Sequence, residues 1–445
     1  MTSNVTLNLA TVGGGSTIAT EDIGGIQFQR VKLALGASGQ DLGDVSGSNP
    51  MVVEMGGASV SAFGDLITSE NTPLIQLDFV YGINTQTGTS TIVTTGVVDT
   101  NASRLRIQTG TGAAGSGVFN SKKSARYRAG QGVTARFTAA FNAGVASSVQ
   151  TVGIGTAADG YFFGYNGVAY GILHRNNGSE TWILQTAWNG DKCSGTGTSG
   201  FTLAPAFGNV YQIRYPYLGY GAITFWILNS TGRWILCHTI QYPNTTATTQ
   251  LSNPNMYFYA QAVNTGSTTN LTIYCGSVGI LLSGVRSYAS FPKWAYDNNK
   301  STVTAETNLF SLKNCTTYNG VTNFGQLRIN SISVGSSAIN AITVIRLRIG
   351  ATLGGTATYA AVSGTTADNG VTITSGSSIA SANTVHTTAT GGTYIYNLSL
   401  SGAGTAVIDL TPFDIFIAPT EILTISGFAS ASATISASAN WTEDQ

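Results

Sequence analysis

The sequence predicts an all-β protein built from antiparallel β-sandwiches, and three observations support this. Apolar and polar residues alternate with a period of two in short stretches such as 104–108, 133–138, 222–228 and 327–334, a pattern typical of half-buried strands. Asn-Gly and Asp-Gly pairs, which supply the positive φ of tight hairpins, recur between such stretches. Only 9% of the 445 residues are charged. Because an ordinary cytosolic domain has about 25% charged residues, we expect neutral surfaces that pack against other polypeptides.

Three segments follow one another along the chain. Residues 1–70 are rich in glycine and poor in aromatic residues, so they hold too little bulk for an independent core, and we predict an N-terminal docking arm. Residues 71–290 contain most of the aromatic residues and are expected to form one large antiparallel β-sandwich. The linker Ser-Tyr-Ala-Ser-Phe-Pro marks a boundary near residue 290, and residues 291–445 contain strands rich in Ser, Thr and Ala. They predict a second, smaller antiparallel β-sandwich, which Trp441 closes.

A basic cluster stands out in the large predicted sandwich and consists of Lys122, Lys123, Arg126 and Arg128. One interpretation is a contact with an anionic partner, either a surface polysaccharide or an acidic neighbouring subunit. The other is a solvated edge strand on which lysine blocks edge-to-edge pairing. The twenty basic and twenty acidic residues of the chain balance, and no basic stripe extends the cluster. Nucleic acid is therefore not an expected partner.

The densest aromatic stretch, residues 159–171, contains Tyr161, Tyr165 and Tyr170. Exposed tyrosine rings can stack on sugar rings, because the ring face is apolar and the hydroxyl is polar. The stretch also fits a hairpin that turns at Asn166-Gly167 and directs its Phe and Tyr side chains into the core. The first interpretation makes the three tyrosines candidate contacts for glycan or for another subunit.

The sequence indicates no catalytic residue, no cofactor and no metal site. Carboxylates are sparse, and their spacing singles out no acid–base pair of the kind that glycoside hydrolysis needs. A GxSxG elbow is absent, and the four cysteines, Cys193, Cys237, Cys275 and Cys315, form no CxxC pair that would suggest zinc. Buried free thiols are expected, with disulfides left open. We predict that the protein is not an enzyme, and a polysaccharide depolymerase is only a third hypothesis.

The N-terminal residues show no signal peptide, and no apolar stretch reaches the length of about 20 residues that a membrane span requires. We therefore expect a protein that is made in a cytoplasm without membrane insertion. Its near-zero net charge favours association, so copies of the chain are expected partners.

Four groups of motifs occur together, at 24–36 with 44–46, at 63–66 with 72–84, at 126–132 with 159–165 and 171–175, and at 423–426 with 440–444. Together they resemble structural proteins of tailed bacteriophages. The resemblance implies a virion protein, a collar, tail, fibre or head-decoration part, that is often trimeric and binds other virion proteins. It also implies that the aromatic domain is a jelly-roll or concanavalin-like sandwich, a fold that either binds carbohydrate or is purely architectural. The alternative function is a receptor-binding fibre or adhesin that recognises host surface glycan.

Overall fold

The computed structural model describes residues 4–6, 17–23, 26–29, 71–284, 291–362, 367–368 and 378–444. Antiparallel β-strands dominate this part of the chain, so the predicted all-β fold class is confirmed. The helical elements within it are two short 3-10 turns, Gln185–Ala187 and Thr411–Phe413. The chain divides into two units, Met1–Ser59 and Val60–Gln445.

In the N-terminal unit, three strands form a small antiparallel sheet. They are β1 Asn4–Thr6, β2 Thr17–Ile23 and β3 Ile26–Gln29. Most of residues 1–70 lie outside the described residues, so the docking role of this segment stays a prediction.

The strands between residues 71 and 283 build two antiparallel sheets, which form the large sandwich. The strands are β4 Asn71–Asp78, β5 Gly88–Val93, β6 Val97–Asn101, β7 Arg104–Gln108, β8 Ser116–Ser121, β9 Val133–Phe141, β10 Ser148–Gly155, β11 Gly160–Asn166, β12 Ala169–Asn176, β13 Ser179–Leu184, β14 Asn209–Tyr215, β15 Ile223–Leu228, β16 Trp234–Ile240, β17 Tyr257–Asn264, β18 Thr272–Cys275 and β19 Ser277–Ser283. One sheet has seven strands in the order β13-β12-β11-β10-β17-β8-β5. The other has nine, with the path β16-β15-β14-β9-β18-β7-β6, and β19 joins β9 to β4.

Alternation along the strands creates the core of the large sandwich. In β9 every second residue is buried, and these residues are Val133, Ala135, Phe137, Ala139 and Phe141. Successive side chains of a strand point to opposite faces, so this pattern places one face of β9 inside and the other towards solvent. The inward faces of both sheets meet in one apolar cluster.

The strands after residue 291 build the small sandwich around a second apolar cluster. The strands are β20 Lys293–Val303, β21 Thr307–Asn314, β22 Thr317–Tyr318, β23 Val321–Thr322, β24 Gln326–Ser336, β25 Ile342–Ile349, β26 Thr352–Leu353, β27 Tyr359–Ala361, β28 Ala367–Asp368, β29 Ala380–Asn383, β30 Ala389–Thr390, β31 Thr393–Ser401, β32 Gly404–Asp409, β33 Phe416–Ile417, β34 Ile422–Ala429 and β35 Ala433–Asp444. One sheet has the order β20-β35-β24-β32, with β33 beside β24, and the other has the order β28-β27-β29-β21-β34-β25-β31. Trp441 is fully buried in the cluster between them, as the sequence predicts.

Candidate functional site

The hairpin of β11 and β12 holds the three tyrosines that were candidate ligand contacts. Tyr161 is fully buried, and its hydroxyl donates to Oε1 of Gln250 at 2.7 Å. Tyr170 is also buried, and its hydroxyl donates to the hydroxyl of Tyr211 at 3.0 Å. Tyr165 is half-buried and packs edge-on against Tyr170, with ring centroids 4.9 Å apart.

The expectation of exposed tyrosine rings is therefore corrected for Tyr161 and Tyr170. They belong to the core because β11 is an interior strand of the seven-stranded sheet, and the odd-numbered residues of this strand face the other sheet. The predicted hairpin, with its Phe and Tyr side chains in the core, is present. Asn166 pairs with Ala169, however, so the two turn residues are Gly167 and Val168.

The basic cluster lies at the junction between the two sandwiches. Nζ of Lys122 is 2.7 Å from Oε1 of Glu421, and Nζ of Lys123 is 2.5 Å from Oδ2 of Asp414. Both acidic residues belong to the small sandwich, so these two pairs join one sandwich to the other. Because Lys122 and Lys123 face acidic groups of their own chain, an external anion is not needed to balance them.

The two arginines of the cluster meet a third acidic group at the same junction. The guanidinium of Arg128 lies 3.1 Å from Oδ1 of Asp444, and Nε of Arg126 lies 3.5 Å from the same atom. The side chains of Arg126 and Asp444 are only 8% and 7% exposed, so this contact is shielded from water. The predicted solvated edge is thus wrong, because the cluster makes contacts within its own chain, whereas a contact with another subunit or a polysaccharide stays a prediction.

Asp414 connects the junction to the body of the small sandwich. Its Oδ2 accepts from Lys123, and its Oδ1 accepts from Nε of Arg328 at 2.9 Å. Burial opposes ionisation of this carboxyl, but the hydrogen bonds and charges of Lys123 and Arg328 outweigh burial, so the pKa of Asp414 lies below its ordinary value. The carboxylate is therefore ionised at neutral pH and holds both cations.

A cleft of about 460 Å³ opens beside these ion pairs. Thr87 and Lys122 line it from the large sandwich, and Ile349, Phe413 and Glu421 line it from the small one. The cleft combines apolar walls with an internally paired lysine and glutamate, so its charged groups are engaged in holding the two sandwiches together.

A second feature lies on the face of the seven-stranded sheet that points away from the core. Phe162, Leu173 and Tyr259 pack together there, with Trp182 and Val118 beside them. We call these five residues the outer aromatic cluster. The alternation of β11 already placed Phe162 opposite Phe163, but it could not show which of the two faces meets the second sheet.

Polar groups surround the outer aromatic cluster. Arg175 is paired with Glu180 at 2.6 Å and lies over the ring of Phe162, 5.2 Å from its centroid. Nε1 of the half-buried Trp182 donates to Oε2 of Glu180 at 3.3 Å. The arrangement combines an aromatic edge with hydrogen-bonding groups, which are the elements that a carbohydrate contact uses.

Two further observations concern the chemistry of the described residues. They contain no group of three or more His, Cys, Asp or Glu side chains that could hold a metal ion. None of the helices found within the described ranges is long and apolar enough to cross a membrane.

Comparison with known proteins yields likenesses of fold only. No family model matches the chain, and no curated protein matches it. Among solved structures, the chain is similar to the legume lectin-like domain from Entamoeba histolytica, with 14% identity, 47% of this chain and 97% of that chain covered, and a TM-score of 0.29. It is similar to the Emp47p carbohydrate recognition domain, with 11% identity, coverage of 49% and 99%, and a TM-score of 0.31. It is also similar to endo-beta-1,4-glucuronan lyase from the fungus Trichoderma reesei, with 12% identity, coverage of 47% and 95%, and a TM-score of 0.29. At such TM-scores these likenesses carry no argument about function.

Proposed function

We propose that the chain is a non-enzymatic structural component of a tailed-phage particle, of the collar, tail, fibre or head-decoration kind. The observation that carries the proposal is the junction, where Lys122, Lys123 and Arg128 bind Glu421, Asp414 and Asp444. Few residues of this chain are charged, and a concentrated set of them is used to hold one sandwich on the other. Two sandwiches fixed in this way form a rigid unit, which suits a structural part that must keep its shape under mechanical load.

The outward faces supply surfaces that suit assembly. Across β24 and β35, Ser333 is paired with Ser438, and their Oγ atoms are 2.6 Å apart. Val407 follows on the neighbouring strand β32 and is 78% exposed. A face of short, mostly uncharged side chains can approach another sheet closely and with little desolvation of charge. Copies of the chain and other virion proteins are the partners that we propose for such faces.

The oligomeric state of the purified chain tests this proposal. We expect analytical ultracentrifugation to show a closed symmetric oligomer, with a trimer as the expected state. A stable contact between copies should bury above about 1,000 Å² of surface, and we expect the oligomer to persist on dilution to about 1 μM. A monomer at every concentration would contradict the proposal. Incubation with bacterial capsular polysaccharide is expected to release no new reducing ends, and their appearance would contradict the non-enzymatic part of the proposal.

The second candidate function is recognition of host surface glycan, and the outer aromatic cluster is the observation that favours it. Trp182 is half-buried and lies beside Glu180 and Arg175 on the buried residues Phe162 and Tyr259, away from the core tyrosines that the sequence suggested. In this hypothesis the indole of Trp182 stacks on a sugar ring, while Glu180 accepts hydrogen bonds from its hydroxyls.

Replacing Trp182 by alanine tests this second function. If the cluster binds glycan, the variant should lose most of its signal on a glycan array, about five- to tenfold in affinity, since stacking of one aromatic ring contributes about 1–1.5 kcal/mol. The matched control is Trp226→Ala, because Trp226 is half-buried on a strand of the other sheet and donates to Thr224 in a similar local contact. Absence of glycan binding by the unmodified protein, or equal loss in both variants, would contradict the hypothesis.

A further inference from the structure

The last strand on one side of the nine-stranded sheet, β16, is covered by a loop. Strand β16 pairs with β15 on one side only. On its other side, the amide of Gly190 donates to the carbonyl of Cys237 at 3.0 Å, and the amide of Asp191 donates to that of Leu236 at 2.9 Å. The side chain of Asn189 extends this ladder, because Nδ2 donates to the carbonyl of Thr239 and Oδ1 accepts from its amide, both at 2.8 Å.

We call residues 189–203 the edge loop, and its conformation is fixed from within. The carboxylate of Asp191 accepts from the amide of Cys193 and from the amide of Ser199, each at 2.8 Å. The amide of Leu203 donates to the carbonyl of Cys193 at 2.8 Å. These bonds hold Cys193 at a φ of 48°, which is uncommon for a residue with a Cβ. The loop therefore specifies the position of one cysteine side chain.

The thiol of Cys193 points at the thiol of Cys237 on the covered strand. Their Sγ atoms are 3.5 Å apart, and both side chains are fully buried. The other two cysteines are placed differently, because Cys275 belongs to β18 of the large sandwich, where its thiol donates to the carbonyl of Ser277. Cys315 lies in the core of the small sandwich. The geometry therefore favours one pairing among the four cysteines.

We propose that Cys193 and Cys237 form an intrachain disulfide when the protein meets an oxidising medium, with a low-molecular-weight disulfide such as oxidised glutathione as the oxidant. The two S–H bonds of the cysteines break and one S–S bond forms between them. The protein loses two electrons and two protons, and the oxidant takes them up as its own S–S bond is cleaved to two thiols. The sulfur atoms approach from 3.5 Å to about 2.05 Å, a movement that side-chain rotation and a small shift of the edge loop provide.

The thiols are reached when the edge loop opens. Burial, together with the hydrogen bond to Cys193, raises the pKa of Cys237 well above its ordinary value, so little thiolate is present while the loop is closed. Opening of the edge loop exposes Cys193 to the oxidant, and closing then aligns the resulting mixed disulfide with Cys237 for the second step of thiol–disulfide exchange. The disulfide fixes the loop over the edge of the sheet, where it blocks pairing with a strand of another molecule.

Peptide mapping after oxidative refolding tests the proposal directly. The full chain is unfolded in guanidinium chloride with dithiothreitol and diluted into a mixture of reduced and oxidised glutathione. It is then alkylated with iodoacetamide under denaturing conditions and digested. We expect a linked peptide that joins Cys193 to Cys237, lighter than its reduced parts by two hydrogen atoms, with Cys275 and Cys315 alkylated. Alkylation of all four cysteines, or a linkage through Cys275 or Cys315, would overturn the proposal. The same protein refolded in dithiothreitol alone is the control, and all four thiols should be alkylated.

Thermal unfolding provides the second measurement. The oxidised protein should unfold about 5 °C higher than the same protein in dithiothreitol, because the bond constrains the unfolded chain between the two cysteines. Cys193→Ser should remove both the linked peptide and the effect of dithiothreitol, whereas Cys275→Ser should keep the linked peptide. An equal melting temperature of the wild-type protein with and without dithiothreitol would overturn the proposed stabilisation of the edge loop.

Discussion

Replacing Phe163 by alanine should lower the free energy of unfolding of the large sandwich by about 4 kcal/mol. The ring of Phe163 is fully buried, and its centroid lies 4.7 Å from that of Tyr211 and 5.6 Å from that of Phe225. The substitution removes this apolar surface and leaves a cavity between the two sheets, which well-packed neighbours cannot fill. Urea denaturation followed by tryptophan fluorescence measures the loss.

Phe207→Ala is the matched control for this prediction. Phe207 is 73% exposed, so the same chemical change there should alter the free energy of unfolding by about 0.5 kcal/mol or less. A loss below about 1 kcal/mol for Phe163→Ala would mean that the two sheets do not pack face to face at this position, and the sandwich described above would then be wrong.

Replacing Asp444 by asparagine should lower the free energy of unfolding by about 3 kcal/mol, because removing one partner of a buried ion pair is strongly destabilising. Here two guanidinium groups, those of Arg126 and Arg128, lose the carboxylate between them. Calorimetry should show the effect as a separation of the two sandwiches into distinct transitions, since their junction is weakened while both cores are intact.

Asp297→Asn controls for the chemical change in the same sandwich. Asp297 is exposed on β20, and its replacement should leave the calorimetric profile unchanged. If Asp444→Asn also unfolds like the wild-type protein, then the junction does not hold the two sandwiches together, and the rigid unit proposed above loses its support.

Much of the fold could be predicted from the sequence, because apolar and polar residues alternate locally along each half-buried strand. The alternation at 133–138 corresponds to β9, and that at 327–334 corresponds to part of β24. Local alternation also separated Phe162 from Phe163. It could not decide which face was inside, because a sheet has two equivalent faces until a second sheet covers one of them. The exposed role suggested for Tyr161 was wrong for this reason.

Local sequence patterns could not predict the ion pairs at the junction between the two sandwiches. Lys122 and Glu421 are 299 positions apart in the sequence, and a cluster of basic residues looks the same whether its partner is solvent, another molecule or a distant part of the same chain. The outer aromatic cluster likewise gathers residues from β8, β11, β12, β13 and β17. Only the order of the strands in the folded sheets brings such residues together.

The order of strands in the small sandwich has a consequence for biosynthesis. Strand β35 lies between β20 and β24 in its sheet, although it is the last of the three to leave the ribosome. Until it emerges, β20 and β24 have no partner between them, and Asp444 is not there to meet Arg126 and Arg128. The large sandwich can fold during translation, whereas the small sandwich cannot complete its sheet until β35 has been synthesised. The small sandwich is therefore incomplete from the emergence of β20 until β35 has left the ribosome, and that interval is when chaperones would have the most to bind.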